Sequence, residues 1–202
     1  EQLLAQIADE MDRLNRRGKV LACHLTYWTG KAPAPIHPKH LVRLPWREAQ
    51  FDFLQPADCV LDLGCGNGGH SVEIGRRAAL VLAIDGDVGQ LAIAGGRLEQ
   101  ASLDDRVILL AADLEKPSAW RFVGTGMWDA VVFLDTVEHL KNPQIVLHEI
   151  HRALRPHGLL LISAPNQETQ WRHRLREAGL DARHDPDHKR EYTQQQFLWT
   201  LI

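Results

Sequence analysis

The residues best placed for chemistry are the run Val60-Leu61-Asp62-Leu63-Gly64-Cys65-Gly66-Asn67-Gly68-Gly69 and, about 20 residues on, Ala83-Ile84-Asp85. A short apolar stretch bounded by glycine reads as a buried strand. The glycines allow positive φ and let a ligand approach the backbone. Ser71 to Ala79 can then begin a helix whose first N–H groups face the loop. A second apolar strand ends in a carboxylate, which accepts from hydroxyls through two oxygens and donates nothing. The unit is one that holds an adenosine-containing cofactor.

Two cofactors fit this spacing. Gly64, Gly66 and Gly69 match the dinucleotide fingerprint G-x-G-x-x-G, with Asp85 as the ribose-binding acid. Asp62, Gly64, Gly66 and Gly68 match the D-x-G-x-G-x-G run of S-adenosylmethionine (AdoMet) enzymes. Electrostatics separates them. A dinucleotide brings an anionic pyrophosphate to the loop, whereas AdoMet brings a zwitterion and a sulfonium cation. Asp62 repels the first and attracts the second. A tight turn with no ligand is the bland reading.

Three further segments follow in order. Val107-Ile108-Leu109-Leu110-Ala111-Ala112-Asp113-Leu114 is an apolar run ending in an acid. Residues 128–140 carry Phe133-Leu134-Asp135-Thr136-Val137-Glu138-His139-Leu140. Leu154-Arg155-Pro156-His157-Gly158 leads into Leu159-Leu160-Leu161-Ile162-Ser163-Ala164.

With these segments the chain resembles the class I AdoMet-dependent methyltransferases, in particular the group of ubiquinone-biosynthesis-type and type 11 methyltransferases. The resemblance covers roughly residues 50–166. That group usually has Gly-Gly after the proline, and here His157 takes the first place. The resemblance implies that Asp62, Gly64, Gly66 and Gly68, with Cys65 and Asn67 between them, surround the methionine part of AdoMet. It implies that Asp85 accepts from the ribose hydroxyls, with Gly86 and Asp87 flanking it. Asp113 then takes the adenine amino group, with Leu114 supplying an N–H and an apolar wall. The resemblance further implies that Leu134 and Asp135 lie beside the reactive methyl and that S-adenosylhomocysteine is the product. Each acid has a plainer role as a helix cap or turn residue.

The elements that must position these residues follow from the pattern. The spacing predicts strands near 59–63, 80–84, 107–111, 129–134 and 158–164, and helices near 70–79, 87–101 and 142–155. The expected fold class is α/β: a Rossmann-like, doubly wound, mostly parallel sheet with helices on both faces and ligands at the carboxyl ends of the strands. A helix is expected after Asn166 as far as Ala178, and a short one from Gln194. The resembled family adds two further strands beyond the fifth, and five strands alone leave an exposed edge.

The length predicts one domain, organised as an N-terminal helix and substrate-cover segment over residues 1–50 and an AdoMet-binding domain over 51–202. Leu4, Ile7, Met11 and Leu14 form one apolar stripe within a helix over 1–17. Residues 28–47 hold Pro33, Pro35, Pro38 and Pro45 and read as a loop that covers the pocket. From Arg13 to Arg47 there are eight Lys and Arg and no acid, with His24, His37 and His40 interspersed. Such a run is a solvated face or a basic rim for an anionic substrate.

Composition bounds the rest. The chain has 202 residues, 45% hydrophobic, 24% charged, net charge −3. These values suit a globular domain and argue against a general nucleic-acid binder. No stretch has the apolar length of a membrane span. Cys23, Cys59 and Cys65 lack metal-type spacing and suit a reduced, cytoplasmic setting. Cys65 reads as a small filler, not a nucleophile.

The expected activity is methyl transfer from AdoMet to an O, N or C nucleophile of a small-molecule or carrier-bound, lipid-like acceptor. Base candidates are Asp135, Glu138 and His139, with His37, His40, His184 and His188 in flanking segments. No metal is assigned to the site. A sharper idea is that Glu138, His139 and Asp135, with His184 or His188, hold a divalent ion. Asp187-His188-Lys189-Arg190-Glu191-Tyr192-Thr193 is similar to metal-binding pieces of small-RNA 2′-O-methyltransferases, and similar also to a loop in relatives without metal. An RNA acceptor is the alternative within the class, although no RNA-binding module is recognisable. An NAD-dependent oxidoreductase is the alternative outside it, and lacks a Tyr-x-x-x-Lys pair.

Overall fold

In the computed structural model the described residues are 50–169, 173, 177 and 187–201. The expectations for the helix over 1–17, the proline-rich cover, the basic run with His24, His37 and His40, the helix over 166–178 and His184 fall wholly or mainly outside them.

Five strands form one parallel sheet: β1 (Cys59–Leu63), β2 (Leu80–Asp85), β3 (Val107–Ala111), β4 (Trp128–Leu134) and β5 (Leu154–Ser163), in the order β3-β2-β1-β4-β5. The helices are α1 (Gly69–Gly75), α2 (Val88–Ala101), α3 (Pro117–Trp120), α4 (Pro143–Ala153) and α5 (Gln194–Thr200). This is the α/β, doubly wound class, and among the described strands every pairing is parallel.

The central strands are apolar because both sheet faces are covered. Successive side chains go to opposite sides. Val60, Val81, Ala83, Ala130 and Val132 pack against Ile74, Leu91 and Leu98 of α1 and α2. Leu61, Leu63, Val131 and Phe133 pack against Trp120, Val146 and Ile150 of α3 and α4. The indoles of Trp120 and Trp128 donate to the carbonyls of Leu114 and Val123, so both are buried with their polar atom satisfied.

Register decides where the loops meet. Leu61 lies between Leu82 and Val131. After β1 the chain turns toward β2, and after β4 it turns toward β5. The carboxyl ends of β1 and β4 therefore flank the switch point, where ligands of such sheets sit.

Boundaries differ from the sequence expectation in two places. The first helix ends at Gly75, not near 79, because the Arg77 and Ala78 N–H groups close onto the Ile74 carbonyl and that of Ala79 onto Asp58. The last strand begins at Leu154, which pairs with Trp128, and its regular pairing resumes at Leu159 opposite Ala130. The intervening residues form an irregularity in which His157 adopts φ +64°. That left-handed conformation favours glycine. The residue that departs from the Gly-Gly pattern thus occupies a position where glycine would relieve strain.

No helix among the described residues is long and apolar enough to cross a membrane.

Candidate functional site

The glycine loop follows β1 and is held from three sides. The Gly64 and Cys65 N–H groups donate to the Ile84 carbonyl at 2.8 and 3.2 Å. The Gly66 N–H donates to Asp85 Oδ2 at 2.7 Å. Arg97 of α2 reaches Asn67, with 2.6 Å to its Oδ1. Gly64, Gly66 and Gly68 all have positive φ, at +71°, +53° and +74°.

Their surroundings differ. A Cβ on Gly64 would run into the Thr136 side chain, and one on Gly68 would lie 2.7 Å from the Ala94 Cβ. A Cβ on Gly66 would meet nothing within 4 Å. Two glycines let the loop pack against the turn after β4 and against α2, whereas the third faces open space.

Asp62 lies beneath this loop, 3% exposed. The Ser71 hydroxyl of α1 donates to its Oδ2 at 2.6 Å. Burial raises the Asp62 pKa from 3.8 to about 6; the Ser71 bond opposes the rise and the Asp85 charge adds to it. A buried carboxylate in this state gains from a cation placed nearby. Burial, and then the charges of Asp62 and Asp85, push the Cys65 thiol far up, so it stays neutral and serves as packing.

Both oxygens of Asp85 accept backbone N–H groups, Oδ2 from Gly66 and Oδ1 from Asp87 at 2.8 Å. Each keeps acceptor capacity for a hydroxyl. Asp87 caps α2, accepting from Gly89 and Gln90, so the plainer reading applies to it. Asp113 stands exposed after β3 and accepts from the Glu115 N–H at 3.0 Å, while Leu114 beside it is buried. Gly86 is exposed at the start of the turn after β2.

At the end of β4, Leu134 is buried and Asp135 turns sharply with φ +48°. Ser163 of β5 braces it: its hydroxyl donates to Asp135 Oδ1 at 3.1 Å, and its carbonyl accepts the Asp135 N–H at 3.1 Å.

Beyond Asp135, a 3-10 turn over Val137–His139 brings Glu138 and His139 against the loop that carries His188. One ligand atom from each of Glu138, His139 and His188 lies within 4.8 Å of the others. The two imidazoles meet edge to face at 4.8 Å. His188 Nε2 faces Glu138 Oε1 at 3.9 Å, and its Nδ1 contacts Glu191 Oε1 at 3.2 Å. The Lys189 and Arg190 N–H groups donate to the Glu138 carbonyl, tying the loop to the turn. Two imidazoles and one carboxylate form a donor set suited to a divalent transition metal, and a carboxylate on the far ring nitrogen is the usual support for such a ligand. Asp135, expected in this group, does not join it, because its carboxylate turns toward Ser163.

The switch-point crevice thus joins a glycine loop, a buried acid and a second acid at the end of β2. Residues 8–201 match the family described as methyltransferase domain. The chain belongs to this family.

The methyltransferase domain is 31% identical over 144 residues to the ubiquinone biosynthesis O-methyltransferase of Xanthomonas oryzae pv. oryzae, covering 70% of this chain and 56% of that protein. It is 31% identical over 133 residues to the protein of that name from Azotobacter vinelandii, covering 66% and 54%. The chain therefore spans a little over half the length of these relatives. Among solved structures it is similar to a putative methyltransferase from Bacillus halodurans, with TM-score 0.62 and 21% identity over 77% of this chain and 65% of that one. It is also similar to the [4+2]-cyclase SpnF, with TM-score 0.63 and 22% identity over 85% and 60%. A fold shared with a cyclase does not by itself assign a reaction.

Ser71, Thr136, Arg97 and Ser163 were not singled out by sequence reasoning. They are ordinary residue types, and their importance comes from contacts across the fold. Ser71 alone left a trace, as a hydroxyl near the start of a helix beside an acidic glycine loop.

Proposed function

We propose that this domain transfers the methyl group of AdoMet to an O, N or C nucleophile of a small-molecule or carrier-bound acceptor. The observation that carries the reading is the buried Asp62 carboxylate under a loop whose central glycine, Gly66, faces open space. The family implies AdoMet as donor, and the residues present fit it. Asp62 offers negative charge to a zwitterionic, cationic ligand, Asp85 offers acceptors for two ribose hydroxyls, and Asp113 and Leu114 offer a polar and an apolar edge for adenine.

The sulfonium supplies a methyl group already activated for in-line displacement. The chain's task is alignment, which lowers such barriers by several kcal/mol, with about 7–11 as the upper range. Asp135, braced by Ser163, stands just beyond the end of β4, where the family resemblance puts the reacting methyl. Asp135, Glu138 or His139 takes the proton of an acceptor hydroxyl as the new bond to carbon forms and the carbon–sulfur bond breaks.

Titration with AdoMet and with NAD tests the donor. We expect micromolar AdoMet binding, weakened about tenfold or more in Asp85→Asn, which loses a charged hydrogen-bond acceptor. Saturable NAD binding with no AdoMet binding would overturn the reading.

A second reading is favoured by the Glu138, His139 and His188 cluster: metal-assisted transfer to a ribose 2′-hydroxyl of RNA. Glu138, His139 and His188 would hold the divalent ion, which would supply Lewis-acid activation of the acceptor hydroxyl. On this reading EDTA abolishes activity and Mg²⁺ or Mn²⁺ restores it. Full activity in EDTA removes it and leaves the first reading standing.

A further inference from the structure

Beside the cluster runs an open groove of about 450 Å³, lined by Gln167, Arg190, Tyr192, Gln196, Trp199 and Thr200 among others. It follows β5 directly, since Asn166 bridges to Tyr192 and the Gln167 N–H donates to the Tyr192 carbonyl at 2.9 Å. It also adjoins the cluster, because Glu191 both borders the groove and contacts His188. The groove therefore starts at the carboxyl edge of β5 and reaches the cluster through Glu191 and His188, the latter facing Glu138.

Its chemistry is specific. Trp199 presents an indole 69% exposed. Arg190 is exposed and pairs with no carboxylate among the described residues. Gln167 and Gln196 bond to each other at 3.1 Å through their amides. Tyr192 is 2% exposed, packs edge to face on Phe197, and its hydroxyl has no hydrogen-bond partner. Burial raises the Tyr192 pKa; the Arg190 charge and a polar contact from the Arg190 side chain, short of hydrogen-bond geometry, oppose the rise, and the Glu138 charge adds to it. A buried hydroxyl lacking a partner is costly and calls for an explanation.

We propose that this groove holds the body of the methyl acceptor, and that the acceptor is a planar ring bearing an anionic group. The ring stacks on Trp199. The anion pairs with Arg190, whose side chain swings toward it and uncovers the Tyr192 hydroxyl, and that hydroxyl donates to it. The amides serve polar ring atoms. An aliphatic tail finds a single apolar face here, so the lining selects against it. The inference rests on the methyl-transfer reading and names its substrate class.

The test uses the whole chain saturated with S-adenosylhomocysteine. Benzoate and adenosine 5′-monophosphate are two sources of a ring with an anion, and dodecanol is an uncharged aliphatic control. Binding is followed by chemical shifts of the Trp199 indole N–H. We expect saturable binding of at least one ring-anion probe, with dodecanol without effect. Arg190→Gln weakens it about tenfold or more, and Tyr192→Phe about fivefold. Tyr192→Phe also melts no lower than the parent, because the lost hydroxyl had no partner; a tyrosine that merely braced the fold would melt lower. Binding of benzoate alone identifies a ring carboxylate, and binding of the nucleotide alone identifies a nucleotide. Absence of binding by both, equal binding of dodecanol, or indifference to both substitutions overturns the proposal. If S-adenosylhomocysteine binds normally in that case, the groove assignment alone fails; if it does not bind, the methyl-transfer reading fails with it.

Discussion

Asp62→Asn should make the ligand-free domain more stable at neutral pH and its grip on AdoMet weaker. The folded pKa of about 6 stands above the ordinary 3.8, chiefly through burial. Between these values the folded chain holds a proton that the unfolded chain has released. Stability therefore falls as pH rises from about 4 to about 6 and is level above that, the opposite of the usual salt-bridged carboxylate. The rise corresponds to roughly 3 kcal/mol as an upper bound. Asparagine cannot ionise, and its amide oxygen still accepts from Ser71. At pH 7.5 the variant should melt several degrees higher, and the gap should narrow through pH 5 and close below about pH 4. Donor affinity should fall at least tenfold, since a buried charge–charge attraction is lost. In the parent, affinity should rise with pH through the same window. A variant less stable at pH 7.5 and unaltered in AdoMet affinity would dismiss the idea that this carboxylate is held in readiness for a cation.

Gly66→Ala and Gly64→Ala should fail in different ways. At Gly66, φ is +53° and a Cβ meets nothing within 4 Å. The fold should lose only about 1–2 kcal/mol, from the left-handed backbone. The new methyl occupies the space assigned to the donor, so AdoMet binding should drop tenfold or more. At Gly64, φ is +71° and the Cβ collides with Thr136 in the next loop. That variant should lose about 3 kcal/mol or more, because backbone strain and overpacking add. Thermal melts and calorimetric titration of both proteins check the contrast. Unchanged AdoMet affinity in a folded Gly66→Ala protein would mean that the space over Gly66 is not a ligand site.

Much of this architecture was readable from residue order. Apolar runs bounded by glycine or acid gave all five strands, because strands buried on both faces need continuous apolar sequence. The short helix expected from Gln194 is present, and the structure shows its start fixed by a capping box between Thr193 and Gln196. The acids expected at strand ends are at strand ends. The start of β5 was harder. Pro156 and His157 look like a turn, yet Leu154 is already paired with Trp128. A pairing made by backbone atoms leaves little trace in side-chain type.

The sequence by itself determined the class of sheet, the position of the glycine loop and the charge of the crevice, because each follows from local periodicity and from residues close together in the chain. Only the tertiary structure decided that Thr136 abuts Gly64, that Ser71 restrains Asp62, that Ser163 and not a metal group claims Asp135, and that Tyr192 lies buried with its hydroxyl unmet. Such contacts depend on strand order and register. Those are set by how whole faces pack, and no short stretch of residues encodes them.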